Sequence, residues 1–106
     1  MRTLMRVSMP VDGTNARISD GSMVAFLQKF LAEHKPEAAY FFTDDDGCRS
    51  ASIVLDVKNP SDIPALAEPW FLVCNAKVTF RPVMNAQDFA AAAPAIERAV
   101  KDAKKS

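Results

Sequence analysis

The stretch Ala38-Ala39-Tyr40-Phe41-Phe42-Thr43-Asp44-Asp45-Asp46-Gly47-Cys48-Arg49-Ser50-Ala51-Ser52-Ile53-Val54-Leu55-Asp56-Val57 decides how this chain folds. Its first six residues are short and aromatic, which predicts a strand over Ala38 to Thr43. Asp44-Asp45-Asp46-Gly47 reads as a hairpin turn, because Asp and Gly tolerate positive φ. The return strand runs from Arg49 to Val57. Ala51, Ile53, Leu55 and Val57 share one face; Ser50, Ser52, Val54 and Asp56 share the other. A hairpin with one apolar face must bury that face against other elements.

Toward the N-terminus, Thr3 to Met9 alternates, with Met5, Val7 and Met9 opposite Leu4, Arg6 and Ser8. This is a half-buried strand, and Pro10-Val11-Asp12-Gly13 is read as the turn that ends it. Met23, Phe26, Leu27, Phe30 and Leu31 then recur at helical spacing. Ser19 or Asp20 is the expected cap, an earlier turn from Asn15 stays open, and Pro36 stops the helix.

Toward the C-terminus, Asn59-Pro60-Ser61-Asp62 starts a second helix carrying Ile63, Leu66, Ala67, Trp70 and Cys74. Pro69 should kink this helix without ending it, because the stripe passes through. A fourth strand alternates from Ala76 to Val83. Asn85 caps a last helix with Phe89, Ala92, Ala93, Ile96, Val100 and Ala103 as its stripe, and Pro94 is a candidate break.

The fold class expected is therefore α+β. The order β-α-β-β-α-β plus a C-terminal helix is ferredoxin-like, in one domain spanning residues 1–106. In that order the first and third strands are central in an antiparallel sheet and both helices cover one face. The opposite face would carry Leu4, Arg6, Ser8, Ser50, Ser52, Val54, Lys77, Thr79 and Arg81, with Tyr40 and Phe42 if the second strand keeps step. It is too apolar for an idle solvent surface and too polar for a core, as a dimer interface or a wet pocket is.

The element order and this mixed face resemble the dimeric α+β-barrel superfamily, in which two such sheets pack face to face. Ala67-Glu68-Pro69-Trp70-Phe71 and Val78-Thr79-Phe80-Arg81-Pro82-Val83-Met84 resemble a group of small uncharacterised bacterial proteins within it. The resemblance covers most of the chain and implies a homodimer. The superfamily includes cofactor-free monooxygenases, small isomerases and haem-using enzymes. No residue pattern of these carries over to this sequence, so the resemblance assigns no catalytic residue.

Thirteen Lys and Arg balance thirteen Asp and Glu. Zero net charge argues against non-specific nucleic-acid binding and removes an obstacle to self-association. The aromatics that RNA-recognition sheets place on their two central strands are missing, since those positions hold Leu4, Arg6, Ser8, Ser50, Ser52 and Val54. The first residues show no secretory pattern and no apolar run spans a membrane, so a cytoplasmic location and reduced Cys48 and Cys74 are expected.

One histidine, His34, and two scattered cysteines supply no zinc ligand set, so no metal or cofactor is expected. His34 suits a helix end. Asp44-Asp45-Asp46-Gly47 could offer oxygens to a cation but lacks the later ligands of a calcium loop. Arg6 is the most informative residue: a guanidinium on a central strand needs water or a partner. Asp56 is one candidate partner; a ligand carboxylate or enolate is another. Tyr40 could add a hydroxyl, and Asn15 and Asp20 lie in a polar, glycine-flanked segment that could close over the site. Arg6, Tyr40, Asn15 and Asp20 are thus the candidate ligand-binding residues. Two functions follow as expectations: a dimeric domain binding a small acidic or aromatic metabolite, with a cofactor-free enzyme acting on it as one form, and an interaction or regulatory module acting through its dimer surface.

Overall fold

The computed structural model describes residues 1–105. The order is β1 (Arg2–Ser8), α1 (Val11–Ser19), α2 (Ser22–His34), β2 (Ala38–Thr43), β3 (Arg49–Asp56), a 3-10 turn (Pro60–Asp62), α3 (Ile63–Cys74), β4 (Lys77–Pro82) and α4 (Ala86–Lys105). The fold is mixed α+β, with one antiparallel sheet in the order β2-β3-β1-β4. β1 and β3 are central, as the sequence predicts.

The alternation in each strand sets which face it buries. Met5 and Val7 on β1 and Ala51, Ile53 and Leu55 on β3 are buried, while Arg6 and Asp56 stay exposed. Register keeps the faces in step: Met5 sits between Ile53 and Phe80, and Val7 between Ala51 and Val78. The helices cover this face through Met23 and Phe30 of α2 and Leu66, Ala67, Trp70 and Cys74 of α3. Trp70 is the centre of the packing. Its ring centroid lies 4.9 Å from that of Phe26 and 5.2 Å from that of Phe30. Such aromatic pairs add about 0.5–1.5 kcal/mol each beyond the area they bury. Cys74 Sγ lies 3.9 Å from Met23 Sδ, and burial pushes the Cys74 thiol up to about 11.

One local expectation needs correction. Val11–Ser19 is a helix, where Pro10-Val11-Asp12-Gly13 reads as a turn. Pro10, at φ −64 and ψ 138, holds the extended N-cap position that introduces it. Thr14 is the one buried residue of α1, so no apolar stripe announces the helix. The helix carrying Met23 to Leu31 begins at Ser22, next to the expected Ser19 or Asp20 cap, and Gly21, whose φ of 82 is left-handed and open to glycine at little cost, separates it from α1. Asp20 brackets the new start, its Oδ1 accepting from the Ser22 amide at 2.8 Å.

α3 runs through Pro69 to Cys74, and α4 runs unbroken through Pro94. Asn85 caps α4 as expected: its Oδ1 accepts from the Asp88 amide at 2.8 Å, and its own amide donates to Asp88 Oδ2 at 3.0 Å. No residue of α4 is buried, although Phe89, Ile96 and Val100 face outward in a line. The molecule is accordingly long, 62 × 29 × 22 Å.

Candidate functional site

The open face of the sheet is built by β1, β4 and the hairpin. Arg6 pairs in register with Thr79 on one side and Ser52 on the other, and Ser8 with Lys77 and Ser50. Leu4 lies opposite Arg81. Period-two alternation points all of these side chains away from the helices. A cleft of about 240 Å³ opens here, lined by Arg6, Ser8, Asp44, Ser50, Lys77, Thr79 and Arg81.

Its charges are unevenly matched. Arg6, Lys77 and Arg81 make no ion pair among the described residues. Asp44 is the one carboxylate in the lining, and it is already occupied. Its Oδ1 accepts from the amides of Asp46 and Cys48, each at 3.0 Å. Its Oδ2 accepts from the Ser8 hydroxyl at 2.8 Å and the Ser50 hydroxyl at 3.0 Å. The Cys48 amide, with the Ser8 and Ser50 hydroxyls, holds the Asp44 carboxyl below its ordinary range. The turn is closed by the Asp44 amide on the Cys48 carbonyl and by Gly47 at φ 78. Asp44 therefore ties the hairpin turn to β1 and β3. The remaining oxygens of the turn gather into no metal-ligand group, and none is found elsewhere among the described residues.

Arg6 does not meet Asp56. The side chains share a face, but Asp56 lies opposite Arg2, four residues along β1, or roughly 13 Å away. Asp56 instead takes the Met1 amino group, at 2.5 Å. The Arg6 guanidinium carbon lies 5.6 Å from the Phe42 ring centroid and is otherwise in water.

Tyr40 is on the same face, across Ser52 from Arg6, and its side chain is 67% exposed. Asn15 and Asp20 do not line the cleft. Asn15 Oδ1 accepts from Arg49 Nη1 at 3.0 Å, which ties α1 to the start of β3. Asp20 serves the start of α2, and Ser22 holds its carboxyl below the ordinary range. His34 ends α2 with its ring centroid 4.5 Å from that of Phe30, a packing position. Besides Ser8, Asp44 and Ser50, sequence reasoning left out of the site Lys77, Thr79 and Arg81 of β4. Alternation already placed them on the open face; only strand register brings them beside Arg6.

No family model matches the chain, and no curated protein matches it by sequence. Solved structures do resemble it in fold. One is a 5-chloro-2-hydroxyhydroquinone dehydrochlorinase, TftG, from Burkholderia phenoliruptrix AC1100, in complex with 2,5-dihydroxybenzoquinone. It matches with a TM-score of 0.61 at 13% identity, over 82% of this chain and 97% of that one. A formyltetrahydrofolate deformylase from Pseudomonas putida KT2440 matches with a TM-score of 0.45 at 11% identity, over 77% of this chain and 28% of that one. The similarity to the dehydrochlorinase is one of α+β fold.

Proposed function

We propose that this chain is a small-molecule-binding domain of ferredoxin-like order, working as a homodimer of the dimeric α+β-barrel type. Its ligand is a small anion, a carboxylate or enolate in class, held on the open sheet face. The observation that carries this reading is the group of three cations, Arg6, Lys77 and Arg81, with no carboxylate paired to any of them among the described residues. Like charges gathered on one face repel, and an anion relieves that cost. Arg6 is the anchor, since its planar fork matches a carboxylate in two parallel hydrogen bonds. The hydroxyls of Thr79 and Tyr40 supply neutral donors beside it. That a protein of similar fold is a dehydrochlorinase captured with 2,5-dihydroxybenzoquinone is consistent with a small-molecule role for such a fold.

Dimerisation through the open face supports this site, because a second sheet laid over it would shield the cleft from water and strengthen its electrostatics. The exposed rings of Tyr40 and Phe42 favour such contact, and they equally suit the reading as an interaction module. A thermal-shift screen of small carboxylic acids separates the two. Wild-type protein should be stabilised by at least one acid, and Arg6→Met should lose that response. A wild type that responds to none, or a variant that responds equally, rejects the ligand site and leaves the interaction module.

A further inference from the structure

We infer that α4 is an arm that docks its apolar stripe on a second copy of this chain. Phe89, Ile96 and Val100 lie on one side of the helix and are 57%, 46% and 49% exposed. At 20 residues the helix is about 30 Å long, and no residue of it is buried. In proteins a helix draws most of its stability from packing an amphipathic face, so an apolar stripe left unpacked over this length calls for a partner surface.

The surface area identifies the size of that partner. The chain exposes 7356 Å², whereas a folded monomer of 11.6 kDa exposes roughly 5,800 Å². Its radius of gyration is 17.8 Å, against about 13 Å for a globular chain of this length. The excess of about 1,500 Å² per chain, covered in a symmetric pair, buries about 3,000 Å², within the range of obligate homodimers.

The root of α4 gives its direction. Arg2 Nη1 donates to Asp88 Oδ2 at 3.0 Å, and Arg2 Nε donates to Glu37 Oε1 at 2.8 Å. Arg2 shares the open-face side of β1 with Leu4 and Arg6. The arm thus leaves the molecule from the face through which the proposed dimer forms, and this inference rests on that dimer. A membrane surface fits α4 less well. Between Phe89 and Ile96 the stripe is Ala92 and Ala93, which allow close approach of a protein backbone but bury little area in lipid.

Light scattering on the full chain at micromolar concentration tests the arm, with Ile96→Asp/Val100→Asp as the variant. Wild type should be a dimer. The variant should keep its circular dichroism and dissociate at least about 100-fold more readily. Amide exchange over residues 95–104 should slow as wild-type concentration rises. An equally tight dimer in the variant overturns the arm but leaves the open-face dimer standing. A variant that unfolds equally at all protein concentrations shows that the stripe packs on its own core, and also overturns it. A monomeric wild type, or one that sediments with phosphatidylserine vesicles as a monomer, overturns arm and dimer together, while the ligand response of Arg6 is read separately.

Discussion

Arg6 lies over the ring of Phe42, 5.6 Å from its centroid, although a whole strand separates β1 from β2. The intervening positions on β3 are Ser50 and Ser52, and their small side chains leave room for the guanidinium to cross. The contact is exposed, so it is worth about 0.5–1 kcal/mol. Arg6→Met should therefore change stability by less than about 1 kcal/mol in urea titration. A larger loss would mean that Arg6 is structural.

Trp70 offers a sharper test of the core. Trp70→Ala should cost about 3–5 kcal/mol, because the ring is fully buried between Phe26 and Phe30. Its Nε1 has no hydrogen-bond partner among the described residues. Trp70→Phe removes that unpaired donor together with some volume, so its cost should fall below about 1.5 kcal/mol. Equal destabilisation by the two variants would place a partner on the indole nitrogen.

The Asp44 carboxyl is held below its ordinary range in the folded protein by the Cys48 amide, then by the Ser8 and Ser50 hydroxyls. Its contribution to stability is complete above the unfolded pKa of about 3.9 and fades as pH falls through the lower folded value. Asp44→Asn should thus be less stable than wild type at pH 6, and the gap should narrow in acid. A gap that is constant from pH 6 to pH 2 would assign the effect to geometry instead of charge.

The two thiols should differ in reactivity. Cys48 is partly exposed; Cys74 is buried and its thiol raised to about 11. A thiol-specific disulfide reagent should label Cys48 in the native protein and reach Cys74 only on unfolding. Rapid labelling of two thiols per native chain would contradict the packing of α3.

The hairpin was legible because alternation and turn chemistry agree over one continuous stretch. Ala51, Ile53 and Leu55 alternate with polar residues, and Asp44 to Gly47 can form no strand. The stripe of α3 survived Pro69 because a proline removes one backbone bond without moving the apolar side chains off their line. α1 was hidden because it buries only Thr14, and a nine-residue helix without a stripe leaves no period to read. The site was half legible. Alternation assigns Arg6, Lys77, Thr79 and Arg81 to one face, but register is a tertiary property, set by the pairing of strands far apart in sequence. The same gap explains Arg6 and Asp56, which share a face and lie four residue steps apart along it.

β1 is placed between β3 and β4, and Thr3 pairs with both Leu55 and Pro82. During synthesis, β1 thus gains its second neighbour only when β4, far along the chain, has been made. Until residue 82 has emerged, one edge of β1 keeps its backbone amides and carbonyls unpaired, a template for pairing with another nascent chain. Closure across such sequence distance is slow compared with the local hairpin. The nascent protein therefore has an aggregation-prone interval whose length is set by translation, and slower elongation between residues 57 and 82 should lower its soluble yield.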